Sequence, residues 1–180
     1  MRGDHCQRKI LVILLLAIIL IISIDLFVSR CVLSVVHLER TTSKLSIDST
    51  LRILQLTDLH NSEFGANNSR LVSAVRAQSP DLILLTGDLL NSNEQRTDIA
   101  TNLITQLCEI APVYCSNGNH EIEYQENYGV DVDELYRKAG AVVLEKEYQD
   151  VTVNDQKVRL GGIYGYCLPG KYLETGEADQ

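Results

Sequence analysis

The sequence predicts an α/β fold of parallel strands whose ends carry polar loops, preceded by one long apolar helix. Three observations lead there. Short apolar runs at Leu51–Leu56, Asp81–Leu85 and Pro112–Cys115 each stop at a polar cluster, as buried strands running into loops do. The intervals between them carry apolar residues at helical spacing. From Ile10 to Val28 only Ser23 and Asp25 interrupt an apolar stretch of 19 residues.

At about 1.5 Å per helical residue, that N-terminal stretch is long enough to cross roughly 30 Å of hydrocarbon. The expected organisation is a short basic tail over 1–9, a transmembrane anchor over 10–28, a stalk over 29–50 and one domain over 51–180. A cleaved signal peptide is the other reading, but Val28-Ser29-Arg30 offers no small-residue cleavage site. Asp25 stands near the end of the span, where an acid can reach the headgroups. Arg2, Arg8 and Lys9 before the span nearly balance Arg30, Arg40 and Lys44 after it. The basic tail tips the orientation toward a single-pass protein with its domain outside the cytoplasm. Val32–Val36 is expected to add a short strand or helix.

In the domain, Leu51–Leu56 reads as the first strand and ends at Thr57-Asp58-Leu59-His60. Leu71, Val72 and Val75 mark a helix, with Asn68 or Ser69 placed to cap it and Ser79-Pro80 to end it. Asp81–Leu85 is the second strand and stops at Thr86-Gly87-Asp88. Ile99, Leu103 and Leu107 recur every four residues as the stripe of a second helix. Pro112–Cys115 is the third strand and stops at Asn117-Gly118-Asn119-His120. Beyond it, Val132–Ala139 reads as a helix and Ala141–Leu144 as a strand, while Val151–Val153 and Val158–Ile163 form a hairpin turning near Asn154-Asp155. Repeated strand–helix units imply right-handed crossovers and parallel strands, so the polar loops converge along one sheet edge.

Charge and cysteine usage narrow the function classes. A net charge of −8 without a basic cluster in the domain argues against a nucleic-acid-binding surface. The five cysteines form no C-x-x-C pair, which indicates neither a zinc knuckle nor a full disulfide framework. Nor does a G-x-G-x-x-G or G-x-x-x-x-G-K-[ST] loop stand anywhere in the chain, which leaves a nucleotide-binding domain without support.

The strand ends carry the chemistry. Asp58 and His60 are two apart, so an extended chain sends both side chains to one side, where carboxylate and imidazole can close on one ion. Alone, such a triplet is ordinary loop polarity. Asp88 brings a second carboxylate to the same edge and can bridge two cations, and Gly87 before it lets the backbone turn and leaves room. The third strand delivers Gly118-Asn119-His120-Glu121, where an amide oxygen can ligate a cation and the next imidazole can face a substrate. Turn preference explains each Gly-Asp or Gly-Asn separately, but not acids and histidines at successive strand ends about 30 residues apart.

These motifs resemble the calcineurin-like metallophosphoesterase superfamily, whose D-x-H, G-D and G-N-H-[DE] stand here as Asp58-Leu59-His60, Gly87-Asp88 and Gly118-Asn119-His120-Glu121. The resemblance runs from about Leu51 to Cys167 and is greatest to the membrane-associated branch. It implies a sandwich of two packed mixed β-sheets flanked by helices, with two divalent ions such as manganese, iron or zinc at its edge. By resemblance Asp58 and His60 bind the first metal, Asp88 bridges both and Asn119 binds the second. His120 contacts phosphate and assists the leaving group. Glu121 is expected to orient a histidine rather than to ligate. The implied activity is hydrolysis of a phosphomonoester or phosphodiester by metal-bound hydroxide. The anchor makes a lipid-linked or cell-envelope substrate a natural partner.

Members of the family carry further histidines downstream, one alone and then a G-H-x-H pair, whereas the last histidine here is His120. Two explanations are open: a C-terminally truncated fragment, or a degenerate protein that kept half a site. Either way the chain by itself is expected to hold its second metal weakly and turn over little. It should also leave a sheet edge unpaired and apolar surface exposed. The reading from another class is a membrane-tethered binding or scaffold module with a partial metal site.

Overall fold

The computed structural model describes residues 11–24, 32–46 and 49–163. The chain divides into two units, Met1–Glu39 and Arg40–Gln180. In the first, residues 11–24 form helix α1. Its large apolar side chains, from Leu11 to Ile24, are each more than half exposed. Ser23 spends its hydroxyl within the helix, donating to the Ile19 carbonyl at 2.8 Å. Among the described residues no helix is long and apolar enough to cross a membrane. Ile10 and Asp25–Val28 of the expected span lie outside the described residues. Val32–Val36 forms neither strand nor helix. Val32, Val35 and Val36 stay exposed, so burial does not offset the entropy of ordering them.

The second unit is an α/β domain. Strands β1 (Ile53–Leu56), β2 (Leu82–Leu85), β3 (Val113–Cys115) and β4 (Val142–Val143) form one sheet in that order. Every neighbouring pair in it is parallel. Helices α2 (Ser69–Ala77) and α3 (Asp98–Cys108) make the first two crossovers. β2 lies inside the sheet between β1 and β3, and its Leu82, Ile83 and Leu85 are buried, as are Leu103, Ile104 and Leu107 of α3. Ile53 on one edge strand and Val142 on the other remain 45% and 39% exposed, so both outer strands present apolar surface. Strands β5 (Glu147–Val153) and β6 (Gln156–Gly162) form the expected antiparallel hairpin, which turns at Asn154-Asp155.

Two local expectations are corrected. Asn68 does not cap α2 with its side chain; it is left-handed, with φ 57°, and its Oδ1 takes the Phe64 N–H at 2.9 Å. Residues after Gly118 are not a loop. They form helix α4 (Asn119–Tyr128), followed by α5 (Val132–Lys138). Only Glu121 and Tyr124 of α4 are buried, so the apolar stripe that announces a helix is missing from its sequence.

Candidate metal centre

The pairing of β1 with β2 does not stop where the strands do. The Asp58 N–H reaches the Gly87 carbonyl at 3.2 Å, the His60 N–H the Asp88 carbonyl at 2.9 Å, and the Asn61 N–H the Leu89 carbonyl at 2.9 Å. Two loops thus run side by side past the sheet edge. Asp58, His60, Asn61 and Asp88 all take positive φ, between 45° and 58°. Strand alternation is therefore not what joins Asp58 to His60, as the spacing had suggested; left-handed turns held by cross-loop bonds do it. Such residues cost roughly 1–3 kcal/mol each and persist where surroundings over-determine them, typically at functional sites.

The outcome is a cluster. One ligand atom from each of Asp58, His60 and Asp88 lies within 4.8 Å of the other two. His60 Nε2 stands 3.9 Å from Asp58 Oδ1. The Thr57 hydroxyl donates to Asp58 Oδ2 at 2.8 Å and fixes its orientation. Two carboxylates and an imidazole converging on one point are a donor set suited to a divalent cation of borderline hardness. The three residues fit such an ion.

His120 joins the cluster from α4. Its ring meets that of His60 edge-on, centroids 4.3 Å apart. The Ser92 N–H donates to His120 Nδ1 at 3.2 Å, which puts the proton of the neutral ring on Nε2. Ser92 is itself tied down by Asn127 Nδ2, which donates to its carbonyl at 3.1 Å. Gly118, before the first turn of α4, has no side chain to cap it, and Asp88 supplies the acceptor instead: its Oδ1 takes the His120 N–H at 3.0 Å. Asn119 opens the same helix, one residue before His120.

Space explains the glycines. A Cβ on Gly87, whose φ is 94°, would meet the backbone of Gly118, and one on Gly118 would meet the Asp88 carboxylate and N–H. The two loops touch through their glycines, which is what lets Asp88 and His120 meet.

Glu121 is fully buried and orients backbone rather than a histidine. Its Oε2 takes the N–H groups of Asp88 at 2.7 Å and Gly118 at 2.9 Å. Its Oε1 takes those of Leu89 at 2.8 Å and Leu90 at 3.1 Å, and the Tyr136 hydroxyl at 3.0 Å. Burial pushes the Tyr136 hydroxyl well above the usual phenol range, and the Glu121 charge adds to it. Burial likewise raises the Cys115 thiol, which makes it an inert core residue. Thr57, Ser92, Asn127 and Tyr136 were not singled out from sequence. Thr57 had a signal, standing in the T-D-L-H form of the first motif; the others act through contacts made by folding.

The family model for calcineurin-like phosphoesterases matches residues 51–179. The uncharacterized metallophosphoesterase YkoQ of Bacillus subtilis is 27% identical over 135 residues, covering 70% of this chain and 50% of that protein. The phosphodiesterase YaeI of Escherichia coli is 29% identical over 125 residues, covering 66% of this chain and 46% of that protein. The chain spans about half the length of these curated relatives.

Proposed function

Because the chain belongs to the calcineurin-like phosphoesterase family, we propose that it is a metal-dependent phosphoesterase acting on a phosphomonoester or phosphodiester. The convergence of Asp58, His60 and Asp88 within 4.8 Å carries this reading. These three would hold one divalent ion, and Asp88 with Asn119 a second. When bound, such ions lower the pKa of coordinated water and balance charge on phosphoryl oxygens. The residues do the rest. Asp88 keeps its carboxylate at the N-terminus of α4, and His120 presents Nε2–H toward a phosphoryl or leaving oxygen. With fewer side chains to hold it among the described residues, the second ion would be the weaker.

The test is hydrolysis of bis-p-nitrophenyl phosphate with added manganese by the chain and its Asp88→Asn variant. Manganese-dependent hydrolysis that the variant loses supports the proposal. Manganese binding with no turnover of mono- or diesters favours a binding module, the reading that the sparse second site supports. We further propose that α1 belongs to a membrane anchor, since its large apolar side chains are exposed on all sides and Ser23 is satisfied within the helix. The domain would then lie outside the cytoplasm and act on lipid-linked or envelope phosphoesters. Release from membranes by alkaline carbonate would count against the anchor.

A further inference from the structure

Two residues stand behind the cluster without touching any group that could meet a substrate. Glu121 receives five donors, which uses the acceptor capacity of both its oxygens. Four are backbone N–H groups, three of them consecutive from Asp88 to Leu90. The fifth is Tyr136, from α5. It is the one side-chain donor, and the ring that carries it is 1% exposed. Both sides of Asp88 are therefore held by the first turn of α4: its N–H by Glu121 and its Oδ1 by the His120 N–H.

We propose that Tyr136, acting through Glu121, is a positioning residue that sets how tightly Asp58, His60 and Asp88 hold a divalent cation. The inference rests on the metal reading above. Glu121 is fully buried, so water is not at hand to replace the phenol. Without the Tyr136 hydroxyl, Oε1 keeps two N–H bonds, both from the Asp88 loop, and nothing from α5 holds the carboxylate against tilting. The peptide that carries Asp88, held in a left-handed conformation at φ 55°, tilts with it. Partners one step removed from a ligand typically change metal affinity about 10–100-fold, because a ligand displaced by a few tenths of an ångström loses its angle to the ion.

The experiment is manganese binding to the full chain in detergent, read by the loss of the free-ion electron paramagnetic resonance signal. Wild type is compared with Asp88→Asn, Tyr136→Phe, Glu121→Gln and Val75→Ala. Val75 is a core residue of α2, which carries none of the cluster, so its truncation controls for plain loss of stability. Circular dichroism checks that each variant is folded. Tyr136→Phe is expected to weaken binding about tenfold and Glu121→Gln more, up to about 100-fold, with Val75→Ala unchanged. If Glu121→Gln does not fold, Tyr136→Phe decides alone. Wild-type affinity in Tyr136→Phe, or an equal loss in Val75→Ala, overturns the inference while the metal reading stands. Failure of wild type to bind, or of Asp88→Asn to weaken binding, removes the metal reading and the inference with it.

Discussion

The loops beyond β1 and β2 and the turn between β5 and β6 both hold non-glycine residues at positive φ, for different physical reasons. In the hairpin, Asn154 and Asp155 stand at 49° and 61°. They occupy the two central positions of a two-residue turn, where short polar side chains tolerate the left-handed region and the strand twist asks for it. At the sheet edge, Asp58, His60 and Asp88 are left-handed because bonds from distant residues hold them so. The turn is local chemistry and survives change around it. The loops are a tertiary construction, and removing one buried acceptor should undo several residues at once.

The largest expected effect follows from that contrast. Glu121→Ala removes a fully buried acceptor from four backbone N–H groups and the Tyr136 hydroxyl. The expected loss is about 4 kcal/mol, much of a typical domain's stability. It is read from the urea midpoint. A midpoint within experimental error of wild type would mean that the loops do not depend on this carboxylate.

Next is Gly118→Ala. The backbone at Gly118 is ordinary, with φ −95°, so space alone is at stake. A methyl there runs into Asp88, and the expected cost is about 2 kcal/mol, typical of overpacking. Manganese binding should fall with it, because the group displaced is a ligand. Loss of stability without loss of binding would show that the loops can part and still present Asp88.

Alkaline stability separates the regions by another route. The Tyr136 pKa is raised in the folded state by burial first and by Glu121 second. Between the unfolded value of about 10 and the raised folded value, the unfolded chain has lost a proton that the folded one keeps. Stability from this group is thus complete below about pH 10 and is lost as pH rises toward the folded pKa. Cys115, also raised by burial, acts in the same direction from its own ordinary value. Tyr136→Phe should be less stable at neutral pH by about 1 kcal/mol, with a shallower fall in melting temperature above pH 10. An unchanged alkaline slope would place that sensitivity elsewhere.

The sequence was legible where structure is local or periodic. β1, β2 and β3, the stripes of α2 and α3, and the Asn154-Asp155 turn follow from short apolar runs, helical spacing and turn chemistry. So does the meeting of Asp58, His60 and Asp88 at one edge, since parallel strands align their ends. The manner of their meeting was not legible, because left-handed φ at Asp58 and His60 depends on carbonyls of Gly87 and Asp88 some 30 residues away. Nor was α4, whose buried face is a glutamate and a tyrosine rather than an apolar stripe. Glu121 reads in sequence as an acid after a histidine. That it gathers backbone from two loops is visible only once β2 and β3 are paired.

The smallest effect belongs to the hairpin. Asp150 and Arg159 face each other across β5 and β6 with a 2.7 Å contact, and Arg159 also lies over the Tyr148 ring. Each holds the other's pKa toward its charged form by hydrogen bonding first, but both side chains are exposed. Water screens such a pair, so Arg159→Ala should leave the urea midpoint unchanged within error. Asp155→Gly should act in the opposite sense. Glycine takes φ 61° without strain and is the favoured second residue of this turn, so the gain is about 0.5 kcal/mol. Together the two variants ask whether the turn or the cross-strand pair sets the hairpin's register. A gain from Asp155→Gly beside a silent Arg159→Ala assigns it to the turn, and confines the cost of left-handed residues that distant bonds impose to the metal-site loops.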